Sequence, residues 1–339
     1  MGLFTAIIIF SIATLVIIFA GTALTRYADK LADKTGLGEA LIGAIFLGGV
    51  TSISGIITSV VAAYNSHPQL AISNAIGGIA IQTVFLSIAD ITYSRVNLEH
   101  ASASLTNLMQ GVLLIILLTL VILGIASPNI TLLNIHPLSF IIILVYLIGT
   151  RMIARAKEKP LWGPKLTIST VRDIPDKDNI KKTTLTSLAT KFTLLAILVA
   201  GAGYAIGISG ITIANKTALS ESFVGTLFTA IATSFPELIV SLAAVRQRAL
   251  ALAVGNIIGG NTFDVLFVAF SDIAYQKGSI LHNITNDQSF IVALTMLMVS
   301  ILIMGLLHRQ RKGIANIGWE SALILVLYIV GNVFLYLLF

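Results

Sequence analysis

The sequence predicts an all-α polytopic membrane protein: ten transmembrane helices in two inverted five-helix repeats, with broken helices at the membrane midplane. Three observations predict it. Apolar residues make up 56% of the 339-residue chain and charged residues only 11%, with a mean hydropathy of +0.96, whereas soluble domains carry about a quarter charged residues. The chain matches itself without a gap when shifted by 182 residues. Its basic residues fall almost entirely in alternate loops, as the positive-inside rule requires of a polytopic chain.

A bilayer core of about 30 Å needs about 20 helical residues. Ten stretches qualify, roughly 3–26, 38–63, 69–92, 103–126, 136–154, 187–211, 220–245, 250–273, 288–307 and 317–338. The first has no basic residues before it and no small-residue cleavage site, and reads as a retained span. Connections are short except at 156–186, which is rich in Lys, Arg and Asp and carries Pro160, Pro164 and Pro175. This divides the chain into a first repeat (1–155), a linker (156–186) and a second repeat (187–339).

With the linker placed in the cytoplasm, 19 Lys and Arg residues lie inside and only Lys216 and Lys277 outside. Both termini are then expected outside, in a plasma (inner) membrane. The net charge of +6 is topological on this count, and a nucleic-acid partner is excluded. With no cysteine in the chain, disulfides and thiolate metal sites are excluded as well.

The internal repeat is carried by polar residues. Lys34-Thr35-x-Leu37-x-Glu39 recurs as Lys216-Thr217-x-Leu219-x-Glu221. Gly43, Phe46, Thr51 and Ser52 recur as Gly225, Phe228, Thr233 and Ser234, and Asn74-x-Ile76-Gly77-Gly78 as Asn256-x-Ile258-Gly259-Gly260. Phe85 matches Phe267, and Asp90-Ile91 matches Asp272-Ile273. Five spans per copy, an odd number, turn the second copy over in the membrane. Inverted repeats of this kind build secondary transporters, with the site at the midplane.

Two carboxylates, Glu237 and Asp264, stand inside uncharged segments long enough to span. An ionisable group at that depth costs roughly 2.5–3.5 kcal/mol on insertion scales and so marks a functional site. Pro236 cannot donate to the carbonyl of Ala232, which leaves carbonyls near Thr233 available beside the hydroxyls of Thr233 and Ser234. On the next span Asn256, Asn261 and Asp264 fall within about two turns and offer further oxygens. Oxygen-only ligation suits Na⁺ or Ca²⁺ rather than zinc or copper. Gly259 and Gly260 are expected to break the helix with Pro236. Glycines are as often a packing device in membranes.

These residues resemble the signature of the sodium/calcium exchanger family, within the cation/calcium antiporter superfamily. Thr233-Ser-Phe-Pro-Glu237 and Gly255-Asn-Ile-Ile-Gly-Gly-Asn-Thr-Phe-Asp264 are similar to it at nearly every diagnostic position. The resemblance implies an antiporter, not an enzyme, that moves Ca²⁺ or a related cation against Na⁺ or H⁺ by alternating access and without a cofactor. It implies Glu237 and Asp264 as cation ligands and Thr233 and Ser234 as oxygen donors. It also implies that the first and sixth helices, with Gly21 and Gly203 in equivalent places, slide across the core.

The first copy departs from the pattern. Ser54-Gly55 replaces the Pro-Glu of the family, and Gln82 aligns with Asp264. Thr51, Ser52, Asn74, Gly77 and Gly78 are retained, so a helix break at Gly55, Gly77 and Gly78 and a ligand set of Thr51, Ser52, Asn74 and Gln82 are expected to persist without the acid. Two negative charges balance one Ca²⁺, two Na⁺ or two protons. A cation/proton antiporter without calcium selectivity and a non-transporting ion-binding member therefore stand as alternatives.

Four smaller readings complete the analysis. Glu39 and Glu221 are expected to cap the helices they begin. Asp90 and Asp272, near span ends, are either interfacial or mark an ion vestibule. The five histidines share no span face. Gly207-Ile-Ser-Gly210 superficially matches an intramembrane serine protease motif, but no mid-span histidine accompanies Ser209 as a base.

Overall fold

The computed structural model describes residues 1–35, 48–93, 96–165, 167–168, 170, 184–313 and 317–338. The start of the second expected span, with Leu37, Glu39, Gly43 and Phe46, lies outside them. So do Arg95, Arg172, Pro175, Lys177, Lys181 and Lys182.

Among the described residues nine helices are long and apolar enough to cross a membrane. The remaining expected span is represented by helical residues 48–51 and the helix Ile53–Tyr64. Pro68–Thr92 lies at the centre. Every residue from Leu70 to Ser87 is buried, as expected of a helix apolar around its whole circumference. The first helix and Leu185–Lys216 are peripheral, and turn Phe4, Leu15, Phe19, Leu194, Ile197 and Tyr204 outward.

The repeat is visible in the turns. Ser66 and Arg248, 182 residues apart, both have left-handed backbone, φ 65° and 63°. They close matching hairpins in which His67 N–H donates to Ala62 O and Ala249 N–H to Ala244 O, each at 2.9 Å.

Asp90 and Asp272 are structural tethers, which decides between their two readings. Asp90 Oδ1 accepts from Leu98 N–H at 2.7 Å and Oδ2 from Gly318 N–H at 2.9 Å. Asp272 Oδ1 accepts from Ile280 N–H at 2.7 Å, and Oδ2 from His136 N–H at 2.7 Å and Ser139 Oγ at 2.6 Å. Each partner is the 182-residue equivalent of the other's. Each aspartate thus binds one loop of its own half and one of the other. The two frames sit at opposite ends of Leu105–Ala126, a helix of 22 residues and so about 33 Å long, which is the geometry of inversion. His100 and His282 continue the match, bonding the carbonyls of Arg309 and Ser127.

Removing Asp272 leaves two backbone donors and a hydroxyl unsatisfied in a fully buried site. Each costs about 1–3 kcal/mol, so Asp272→Ala is expected to lower the thermal unfolding temperature of the purified protein markedly. A substitution at an exposed lipid-facing position such as Leu15 should leave it unchanged.

Glu221 corrects the capping expectation. Ser220 caps its own helix by accepting from Phe223 N–H. Glu221 instead bonds His67 Nδ1 at 2.6 Å and accepts from Leu70 N–H, so it caps the N-terminus of Pro68–Thr92 in the other half. A carboxylate there meets unsatisfied N–H groups and the positive end of the dipole.

Candidate cation site

The expected breaks at Gly77, Gly78, Gly259 and Gly260 are not where the helices are interrupted. Gly77 and Gly78 lie inside the continuous helix Pro68–Thr92, and Gly259 and Gly260 inside Leu250–Asp264. Gly77 is needed for packing: a Cβ there would stand 2.6 Å from Thr226 Cα on the neighbouring backbone. Gly55 and Pro236 are also inside helices, Ile53–Tyr64 and Ala230–Arg246. The helix accommodates Pro236 with a widened π segment at Val224–Thr229 one turn earlier. Regular winding is interrupted at Ser52, between residues 48–51 and Ile53, and at Val265, between Leu250–Asp264 and Leu266–Ala274.

Those interruptions bring the site together. Ser52 Oγ donates to Asp264 Oδ1 at 2.6 Å, and Gln82 Nε2 donates to Asp264 Oδ2 at 2.7 Å. Gln82 Nε2 also reaches Ser234 Oγ at 3.3 Å. Gln82 and Asp264 are repeat equivalents, as are Ser52 and Ser234, so the four residues form a pseudo-symmetric ring in which amide and acid occupy matching places.

Glu237 is 3% exposed and Asp264 2% exposed, within electrostatic reach of each other. Their bonding differs. Asp264 is held by two neutral donors, whereas Glu237 Oε2 has no hydrogen-bond partner among the described residues. Gln82 Oε1, Asn261 Oδ1 and Ser241 Oγ are also buried without a partner. Buried oxygens left without a donor are costly, and a cation satisfies them.

Other expected ligands are already engaged. Thr233 Oγ1 donates to Thr229 O at 2.9 Å, while Thr233 O accepts from Ser54 Oγ at 3.2 Å. Asn74 links Ser59 Oγ at 2.8 Å to Thr229 Oγ1 at 2.7 Å, and so ties the halves together. Thr51 is half-buried and donates to Gly48 O. Asn256, half-buried, has its Nδ2 unpartnered.

One feature was not legible in the sequence. The ring of Phe267 lies over Gly55, with Cε2 only 2.7 Å from where a Cβ would stand. The place of the missing acid is filled by an aromatic side chain from the other half. The histidines also differ from expectation. His136 and His282, from different loops, have ring centroids 5.3 Å apart. Burial and the neighbouring His282 lower the pKa of His136, against the pull of the Pro128 carbonyl and Asp272. Among the described residues no group of three or more His, Asp or Glu is placed to hold a metal ion. Ser209 donates to carbonyls of its own helix turn, at Ala205 and Ile206.

The peripheral helices touch the site directly. A Cβ on Gly21, at the end of the π segment Ile17–Gly21, would stand 2.7 Å from Pro236 Cγ, and one on Gly203 would stand 2.6 Å from Ser54 O. Pro236 and Ser54 are repeat equivalents. Each outer helix thus crosses the signature helix of the opposite half at a glycine.

Two inverted halves that meet at buried carboxylates define a secondary cation transporter. The family described as "Sodium/calcium exchanger protein" matches residues 5–153 and 187–337, and the chain belongs to it. An uncharacterized membrane protein of Methanocaldococcus jannaschii is 23% identical over 304 residues, covering 89% of each chain. Among solved structures, the H⁺/Ca²⁺ exchanger CAX superposes with a TM-score of 0.71 at 12% identity, over 96% of this chain and 81% of that one. A sodium-calcium exchanger, NCX_Mj, superposes with a TM-score of 0.59 at 19% identity, over 97% and 98%. The protein is a cation antiporter that works by alternating access; inorganic cations are its cargo, and it is not an enzyme.

Proposed function

We propose that this antiporter binds Ca²⁺ or a related cation between Glu237 and Asp264 and exchanges it for Na⁺ or H⁺. The observation that carries this reading is the set of idle buried oxygens, Glu237 Oε2, Gln82 Oε1 and Asn261 Oδ1, around a carboxylate pair. Ser52, Ser234 and Gln82 position Asp264, and Thr51, Thr233, Asn74 and Asn256 support the surrounding backbone. The outer helices slide on Gly21 and Gly203 to expose the site to each side in turn. The halves are 1–155 and 187–339, the linker 156–186 is cytoplasmic, and both termini face outward from a plasma (inner) membrane.

Two carboxylates are few for calcium, which takes six to eight oxygens, and Phe267 covers the place of a third. This favours a proton as the exchanged partner and supports, as a second reading, a cation/proton antiporter without calcium selectivity. Counter-flow in proteoliposomes, with Ca²⁺ and other cations offered under imposed Na⁺ or pH gradients, separates the two. Calcium flux driven by either gradient is the expected result. Flux of other cations with none of calcium assigns the second reading. Binding without flux under any gradient identifies a non-transporting member and overturns both.

A further inference from the structure

The two aspartate tethers share one backbone frame but differ at two positions. In the Asp272 frame, Leu281 and Leu138 converge over Gly124. Their 182-residue equivalents in the Asp90 frame are Glu99 and Glu320. The fold therefore builds this corner equally well from two leucines, and the acids need another explanation. Both are 1% exposed. Glu320 is wedged against Gly305 and Gly318, and Ser321 Oγ donates to Glu99 Oε1 at 3.4 Å.

Glu99 Oε2 and both oxygens of Glu320 have no hydrogen-bond donor among the described residues. The two carboxyls nevertheless lie within hydrogen-bonding reach of each other. Two carboxylate oxygens cannot bond each other unless one carries a proton. The surroundings supply little else. Asp90 adds negative charge beside both, with its own oxygens taken by Leu98 and Gly318 N–H. His308 is the basic group whose field reaches Glu320. His100 is turned to the Arg309 carbonyl, and the Arg309 guanidinium to the oxygens of His100, Lys165 and Thr170.

We propose that Glu99 and Glu320 form a second proton-binding site, a carboxyl–carboxylate pair sharing one proton, which fastens the last membrane helix to the Asp90 corner beside the 156–186 segment. The pair is separate from Glu237 and Asp264, and does not depend on which ions those residues carry. Burial first, then the charges of Asp90 and Glu320, hold the Glu99 carboxyl well above the usual carboxylate range. A group raised in the folded state contributes stability that is complete below its unfolded value of 4.5 and is lost as pH rises through its folded value.

Thermal unfolding of the purified full chain, scanned from about pH 5 to about pH 9, tests this without reference to transport. The wild type is expected to lose stability towards alkaline pH, and E99L/E320L, with the leucines of the sister frame, to lose less than half as much. An equal alkaline loss in the double variant overturns the proposal. In infrared spectra, E99Q and E320Q are each expected to remove the same protonated-carboxyl C=O band, and a band removed by one alone, or by neither, argues against a shared proton. Stabilisation of the wild type by added Na⁺ or Ca²⁺ at alkaline pH, absent from E99L/E320L, would assign the pair to a metal cation instead.

Discussion

Replacing Glu237 by Gln is expected to abolish exchange, reducing flux to that of protein-free liposomes, while the chain stays folded. The substitution keeps the shape of the side chain and removes the negative charge whose Oε2 is idle and buried. Removing an uncompensated buried charge relieves a desolvation penalty, so thermal stability should hold or rise. Asp264→Asn is expected to abolish flux as well, by a different local route. Its new amide group would face the donors of Ser52 or Gln82, so this variant should also lose stability, by about 1–3 kcal/mol for a mispaired buried donor. The test is counter-flow and thermal unfolding on the same preparations. Wild-type flux in either variant would remove the carboxylate pair from the transport pathway.

Restoring the absent acid should fail when done alone. In Gly55→Glu the new Cβ collides with the Phe267 ring, 2.7 Å away, and overpacking of this kind costs about 1–3 kcal/mol. The single variant is expected to be less stable and to bind divalent cations no better. Combining it with Phe267→Ala opens the space, and a third carboxylate then faces Glu237 and Asp264. Divalent affinity in the double variant should rise about tenfold or more, equivalent to about 1.4 kcal/mol, measured by isothermal titration with Ca²⁺. A gain in the single variant would show that Phe267 swings aside freely. No gain in the double variant would show that the first half contributes no ligand position.

Much of this protein follows from its sequence. The spans, the 182-residue repeat, its inversion and the acidic pair were all legible, because hydropathy and helix length are local quantities and a repeat is a comparison of the chain with itself. The extended match was also within reach: His100 with His282 and Ser139 with Ser321 are identical at the same shift. Other features belong to the tertiary structure alone. Gly77 reads as a break in one dimension and is a close helix contact in three, because only the backbone at Thr226 requires the missing Cβ. Glu221 reads as the cap of its own helix and caps another, because the N-terminus it meets is brought there by packing. Which oxygens remain idle around Glu237, and which ring covers Gly55, depend on contacts between halves about 180 residues apart in the chain. Hydrogen-bond satisfaction and steric exclusion are settled by neighbours in space, and the sequence order of those neighbours carries no local signal of them.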